Sequence, residues 1–214
     1  MAISTDILTS YKKIDEAYID SLLEKEIEKN HKKIVVLDDD PTGVQTVHDI
    51  SVYTGWDKDS IRQGFEEENS LFYVLTNSRG FTEEQTIKAH HEISAVTDEA
   101  AKATGKEYIY ISRSDSTLRG HYPLETELLK ADYEKYTGKT VDGEILCPFF
   151  KEGGRFTINN VHYVKYGDTL VPANETEFAK DKTFGYTAAD LPSYVEEKTK
   201  GAYKKEDVTC ISLE

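Results

Sequence analysis

The stretch Lys33–Thr46, KIVVLDDDPTGVQT, constrains the fold more than any other part of the chain. Ile34, Val35, Val36 and Leu37 form an uninterrupted apolar run, the pattern of a strand buried on both faces. The run ends abruptly in Asp38, Asp39 and Asp40, followed by Pro41, Thr42 and Gly43, which carry turn chemistry. Open parallel sheets bind ligands at the carboxyl ends of their strands. Three carboxylates at such an end repel one another and would lower stability if they only terminated the strand. A charge cluster of this kind is a candidate functional site.

From Lys33 onwards, strand and helix patterns alternate. Strand-like runs fall at 33–38, 50–54, 70–75, 107–111, 143–147, 161–165 and 207–213. Helical spacing falls at 57–67, 82–104, 122–136 and 187–200. The alternation predicts an α/β fold: a mostly parallel, Rossmann-like sheet with helices on both faces. Thr82, followed by Glu83, Glu84 and Gln85, reads as a helix start. Residues 148–186 break the pattern, being rich in Gly and aromatics with short strand-like pieces, and predict a β excursion. Ahead of Lys33, Ile7, Leu8, Tyr11, Ile14, Tyr18, Ile19, Leu22, Leu23 and Ile27 recur at helical spacing. Residues 1–32 are therefore expected to form an N-terminal helical arm suited to packing or an interface, with residues 33–214 as the α/β domain.

Composition narrows the function classes. The 214 residues carry a formal charge of −14, with 38% hydrophobic and 31% charged residues. Such a surface argues against nucleic acid or anionic lipid as a main partner, and an anionic substrate would need a local cluster of Arg or Lys. Cys147 and Cys210 lie far apart in apolar runs, which predicts two buried free thiols rather than a disulfide or zinc site, and a cytoplasmic location. No apolar run approaches the roughly 20 residues that span a bilayer. The opening MAISTDILTS lacks the basic and apolar regions of a signal peptide. His31, His48, His90, His91, His121 and His162 show no ligand spacing, so no metal site is expected. The closing run 207–213 reads as a strand; either it lies in the sheet or the chain is part of a longer protein.

Four loops after apolar runs are unusually polar. They are Asp38–Gly43; Thr76-Asn77-Ser78-Arg79-Gly80; Arg113-Ser114-Asp115-Ser116-Thr117-Leu118-Arg119-Gly120-His121; and Pro148–Arg155. In a parallel sheet all four would emerge at one edge and line one cleft. Each also has a plainer reading. Arg79 could be a surface charge, Ser116 and Thr117 helix caps, Arg119-Gly120 a turn, and Lys151 and Glu152 solvated residues. Taken together, Arg forks suit carboxylates, and Asp, Ser, Thr and Asn suit sugar hydroxyls. The set fits a ligand with both, a sugar acid.

Two families resemble parts of this pattern. The apolar run followed by Asp38-x-Asp40-x-Thr42 resembles the nucleophile loop of haloacid dehalogenase-like phosphatases, with Asp38 as nucleophile and Asp40 as general acid/base. That likeness lacks a convincing later acidic pair and leaves DSTLRG unexplained. The broader resemblance is to the four-carbon acid sugar kinases. Asp39-Asp40-Pro41-Thr42-Gly43 is similar to their DDxTG signature, and Thr76-Asn77-Ser78-Arg79 to their TxTR-type segment. Asp115–Gly120 matches their DSTLRG run, and Pro148 to Arg155 resembles their PxFxxxGR loop. In the segment after it, Thr176, Phe178 and Asp181 are in register. The extra Asp38, Arg113 in place of Lys and His121 in place of Asn depart from the pattern, as does the N-terminal arm.

The resemblance implies the sugar-acid-binding domain of a two-domain kinase whose C-terminal, nucleotide-binding domain is absent from this chain. ATP and Mg²⁺ would come with that domain; no GxGxxG or Walker-type loop occurs here. The implied reaction is ATP-dependent phosphorylation of a hydroxyl on a threonate- or erythronate-like acid. Asp39 and Asp40 would bind hydroxyls, and one of them would take the attacking proton. Arg79, Arg119 and Arg155 would hold the carboxylate. Thr42, Gly43, Ser78, Arg113, Asp115, Ser116 and Thr117 complete the implied binding set. A non-catalytic module that binds a small acid is the alternative from another class. A small-molecule sugar acid is the expected partner, and homo-oligomerisation is left open.

Overall fold

The apolar run that ends in the aspartates forms the inner strand of a parallel sheet. The computed structural model describes residues 1–11 and 13–212. Its regular elements are β1 (Ile3–Ser4), α1 (Ile7–Ser10), α2 (Glu16–Lys29), β2 (Lys33–Asp38), β3 (Val52–Tyr53), α3 (Lys58–Glu66), β4 (Leu71–Leu75), α4 (Glu83–Thr104), β5 (Tyr108–Arg113), α5 (Leu124–Thr137), β6 (Arg155–Ile158), β7 (Val161–Tyr166), β8 (Thr169–Pro172) and α6 (Leu191–Lys198). They divide between two compact units, one of residues 11–113 and 125–141, the other of residues 1–10, 114–124 and 142–214. α2 falls in the first of these units and the ten residues at the start of the chain in the second.

The first unit is the α/β unit. Its sheet runs in the order β3-β4-β2-β5, with every pair parallel. The steps β3→α3→β4 and β4→α4→β5 cross the sheet in the same direction. Right-handed crossovers therefore put α3 and α4 on the same face. Val35, Leu37, Phe72, Val74 and Tyr108 line that face and pack with Ile61, Phe65, Ile93, Ala100, Ala101 and Leu129 into one core. Each fully buried side chain of that size contributes roughly 1.5–3 kcal/mol. On the other face Val36 is buried, whereas Ile109 and Ile111 are 36% and 46% exposed. α4 begins with the expected capping box: the Gln85 N–H donates to Thr82 Oγ1, and the Thr82 N–H donates to Gln85 Oε1. It ends at Gly105, whose φ of 67° is the left-handed conformation that suits a glycine cap.

The second unit holds an antiparallel sheet in the order β1-β8-β7-β6, which is the β excursion expected after residue 148. A cluster of Leu118, Val164, Ala173, Ala179, Tyr186 and Tyr194 forms its core.

Several local expectations are corrected. The first residues do not begin a continuous helix, because Ile3 and Ser4 pair with Leu170 and Thr169. In α2, Tyr18, Ile19, Leu22, Leu23 and Ile27 are all exposed. Residues 143–147 and 208–212 form no strand; Leu213, the end of the second expected run, lies outside the described residues. Leu146 is partly buried against the second unit's core, but without a ladder Ile145 and Ile211 are each 89% exposed. Cys147 and Cys210 sit in these runs, so both free thiols are exposed, not buried as expected.

Candidate functional site

The register of β2 positions the three aspartates. Asp38 pairs with Leu75 on one side and Arg113 on the other, level with the carboxyl ends of both neighbours. Side chains alternate along a strand, so Asp38 follows Val36 onto the face away from the helices. The ladder continues one residue further, with the Asp39 N–H donating to the Arg113 carbonyl at 3.2 Å. Asp39 thus follows Leu37 toward the helical side. Adjacent aspartates therefore enter different surroundings.

Asp39 is 3% exposed and is held by a forked ion pair. Arg79 Nε donates to its Oδ2 at 3.0 Å and Nη2 to its Oδ1 at 2.6 Å. The Arg79 N–H also donates to the Asp39 carbonyl at 3.2 Å, and Nη1 lies 3.1 Å from Asp40 Oδ2. One guanidinium thus bridges two carboxylates. Burial pushes the Asp39 carboxyl up to about 6; Arg79 opposes the rise, and Glu125 and Asp38 add to it. Asp40 is more open. Hydrogen bonds from the Thr42 hydroxyl and N–H hold its carboxyl below the usual range, with Arg79 assisting.

Asp38 is 1% exposed. Among the described residues neither of its oxygens has a hydrogen-bond partner of normal geometry. Arg113 Nη1 stands 3.5 Å away. Burial raises this carboxyl to about 6 as well, against Arg113 and the nearby Asp40 N–H. Gly43 closes over it: a Cβ there would fall 1.9 Å from Asp38 Oδ2. Thr42 and Gly43 therefore have distinct local uses, one tying Asp40 and the other leaving room for Asp38.

Ser78 and Arg79 lie in a short 3-10 turn, Ser78–Gly80, entered through Asn77 with φ 55°. The Ser78 side chain is buried and donates to Glu125 Oε1 at 2.6 Å. Its hydroxyl is thus used inside the unit.

Of the polar loop after β5, Arg113 closes the strand in the α/β unit, and the residues from Ser114 onward belong to the second unit. The expectation that four loops leave one parallel edge fails for Pro148–Arg155, because no strand precedes it. In the second unit the DSTLRG run folds on itself. Asp115 accepts from Thr117 Oγ1, from the Thr117 N–H at 3.3 Å and from Arg119 Nε at 2.7 Å. The Asp115 N–H donates to the Arg119 carbonyl at 3.2 Å. Leu118 takes a φ of 67°, unfavourable for a branched side chain. Three buried side chains hold the loop there. His162 Nε2 meets the Ser116 carbonyl at 2.7 Å, the Tyr186 hydroxyl donates to Thr117 O at 3.0 Å, and the Tyr194 hydroxyl donates to Leu118 O at 3.0 Å. Burial lowers the His162 pKa, although the Ser116 carbonyl favours its charged form. Thr117 is 1% exposed and acts within the loop.

Arg119 and Arg155 both lie against Phe178, at 5.1 and 5.4 Å from the ring centroid. Arg155 Nη1 donates to the Gly153 carbonyl, and its buried Nε has no partner among the described residues. Two guanidiniums thus share one ring, Arg119 being already paired with Asp115. Sequence reasoning missed His90, Glu125, His162, Tyr186 and Tyr194. Their only signals were polar or aromatic residues at core positions of helices and strands.

A crystal structure of a domain of unknown function from Bordetella bronchiseptica, a domain-swapped dimer with bound citrate, shares the fold at a TM-score of 0.53 and 23% identity. The likeness covers 76% of this chain but 39% of that one, so the chain spans well under half of that protein. No curated protein matches it. Residues 34–212 match the family described as the sugar-binding N-terminal domain, in line with the resemblance carried by DDxTG and DSTLRG. The chain belongs to the sugar-binding N-terminal domain family.

Proposed function

We propose that this chain is the substrate-binding domain of an ATP-dependent kinase that phosphorylates a hydroxyl of a four-carbon sugar acid. The observation that carries the reading is Asp39. It is buried, gripped by Arg79 and raised to about 6, close to the range in which a carboxylate can accept a hydroxyl proton near neutrality. Asp40, kept ionised by Thr42 and adjoining the same guanidinium, suits hydrogen bonding to a second hydroxyl. In the other unit, Arg119 and Arg155 suit a carboxylate, the charge-assisted partner of an Arg fork. The citrate in the Bordetella protein is an acid of related chemistry, with carboxylates and a hydroxyl. That protein's dimer supports a homo-oligomeric assembly for this one. Among the described residues no helix is long and apolar enough to cross a membrane.

The nucleotide does not fit the described residues of the α/β unit. The first turns of α3 and α4 carry Asp59, Glu83 and Glu84, and the side chains of Asp57 and Thr82 already accept from part of their N–H groups, so both ends disfavour a phosphate. We assign ATP and its Mg²⁺ to a domain outside this chain, and the chain's own share is to bind the acid and take up the proton. Asp38 weighs against the phosphatase reading, since Gly43 packs directly over its carboxylate and would have to move before a phosphoryl group could reach it.

Calorimetric titration of the 214-residue chain with threonate, erythronate and the matching polyols tests the reading. The acids should bind and the polyols should not. Arg119→Ala should weaken binding about tenfold to a hundredfold. Equal binding of acid and polyol refutes a carboxylate site. Acid-stimulated ATP turnover by this chain alone would show that the nucleotide site has been misassigned.

A further inference from the structure

Glu125 occupies the first turn of α5, where an acidic residue would be expected to face water. Glu127, two residues on, does so, but Glu125 is 3% exposed and shares the inward face of α5 with Leu129 and Asp132. A buried carboxylate costs several kcal/mol unless it is compensated, and an apolar side chain on that face would serve packing at least as well. The compensation here is specific. Ser78 Oγ donates to Oε1 at 2.6 Å, and Ser112 Oγ lies 3.4 Å from Oε2. His90, 1% exposed, turns Nε2 toward Oε1 at 3.7 Å. His90 Nδ1 lies 2.9 Å from the Thr86 carbonyl, which can only accept, so Nδ1 carries a hydrogen and the ring orientation is set from behind; Nε2 compensates Glu125 when it is protonated as well. The Thr76 hydroxyl lies between Ser78 Oγ and the Asp38 carbonyl, 3.0 Å from each.

We propose that Glu125, seated on His90, is a positioning residue for the Asp39–Arg79 pair: it anchors the Ser78 hydroxyl and thereby the 3-10 turn that presents Arg79 to Asp39. Arg79 directly follows Ser78 and meets Asp39 through both its N–H and its guanidinium, so a shift in Ser78 is passed to both contacts. Glu125 also acts on Asp39 through space, its charge helping to keep that carboxyl from ionising too readily. The charged groups facing Asp39 are Arg79 from the turn, Glu125 from α5 and Asp38 from β2. The proposal rests on the reading of Asp39 and Arg79 as site residues.

The test compares Glu125→Gln, Glu125→Ala and Ser78→Ala with wild type. It follows the ¹³C carboxyl titration of Asp39, assigned with Asp39→Asn, and the backbone amide signals of Ser78 and Arg79. In Glu125→Gln the amide oxygen still accepts from Ser78 while the charge is gone. The turn signals should stay near wild type, and Asp39 should ionise at lower pH. In Glu125→Ala and Ser78→Ala the turn signals should move, and affinity for the best-binding four-carbon acid should fall about tenfold, with Glu125→Gln recovering most of it. If Glu125→Ala fails to fold, Glu125→Gln and Ser78→Ala carry the test. An unmoved Asp39 titration in Glu125→Gln, or turn signals unmoved in Ser78→Ala, overturns the proposal. A wild-type chain that binds no sugar acid refutes the proposed function instead, and the titration and amide readouts still decide the role of Glu125.

Discussion

Asp38→Asn should blunt the loss of stability that the α/β unit suffers as pH rises. Asp38 has an ordinary carboxyl value of 3.8 when unfolded and about 6 when folded, because burial outweighs the pull of Arg113. The folded protein therefore binds more protons than the unfolded chain between those two values. Its stability is fullest below 3.8 and falls as pH rises through 6. A shift of about two units corresponds to roughly 3 kcal/mol at 1.36 kcal/mol per unit. An amide in place of Asp38 has no charge to bury, so this term vanishes. Whatever the amide costs in unsatisfied hydrogen bonding is the same at every pH and drops out of the comparison. The stability of Asp38→Asn minus that of wild type should therefore rise by about 2.5 kcal/mol between pH 4 and pH 8. Trp56, the sole tryptophan, packs against the core of the α/β unit, so its fluorescence during urea unfolding reports on that unit. Parallel pH profiles for the two proteins, or a difference that shrinks with pH, would refute the reasoning.

Gly43→Ala should destabilise the same unit by about 1–3 kcal/mol, since its Cβ would fall 1.9 Å from Asp38 Oδ2. Most of the loss should disappear in an Asp38→Ala background, measured by the same urea titration as a double-mutant cycle. Arg79→Ala strips the main partner from a buried carboxylate and should cost about 3 kcal/mol or more at pH 8. The loss should shrink on acidification, and the Asp39 carboxyl should titrate above 6 by NMR. Tyr194→Phe leaves the Leu118 carbonyl without the 3.0 Å hydrogen bond it accepts from Tyr194 and should lower stability by about 1–3 kcal/mol. Thermal unfolding checks that figure, and an unchanged midpoint would show that the tyrosine does not hold the loop.

The sequence made the parallel core legible where local and long-range signals agreed. The apolar runs of β2, β4 and β5 were unmistakable, and Thr82 with Gln85 announced the start of α4 through a capping box that is present. Residues 143–147 and 208–212 carry the same composition but form no strand, because a strand exists only if a neighbour supplies the other half of its ladder. Composition does not contain that neighbour. In the site, Asp39, Asp40 and Arg79 could be read because three carboxylates beside an apolar strand are costly without a purpose. The difference between Asp38 and Asp39 could not be read, since it depends on which face of the sheet the helices cover. Glu125 was hidden because its place in the helix alone marks it as a surface acid.

The loop Asp115–Gly120 is written in six consecutive letters, but its shape is stored elsewhere. The carbonyls of Ser116, Thr117 and Leu118 are held by His162, Tyr186 and Tyr194, residues at least 44 positions away in the chain. Grafted alone onto another scaffold, DSTLRG would relax, because a leucine at φ 67° reverts once its neighbour's restraints are gone. A transplant would have to carry the histidine and both tyrosines with it. A search for functional equivalents of this loop would do better to look for three inward donors converging on successive carbonyls than for the six letters themselves.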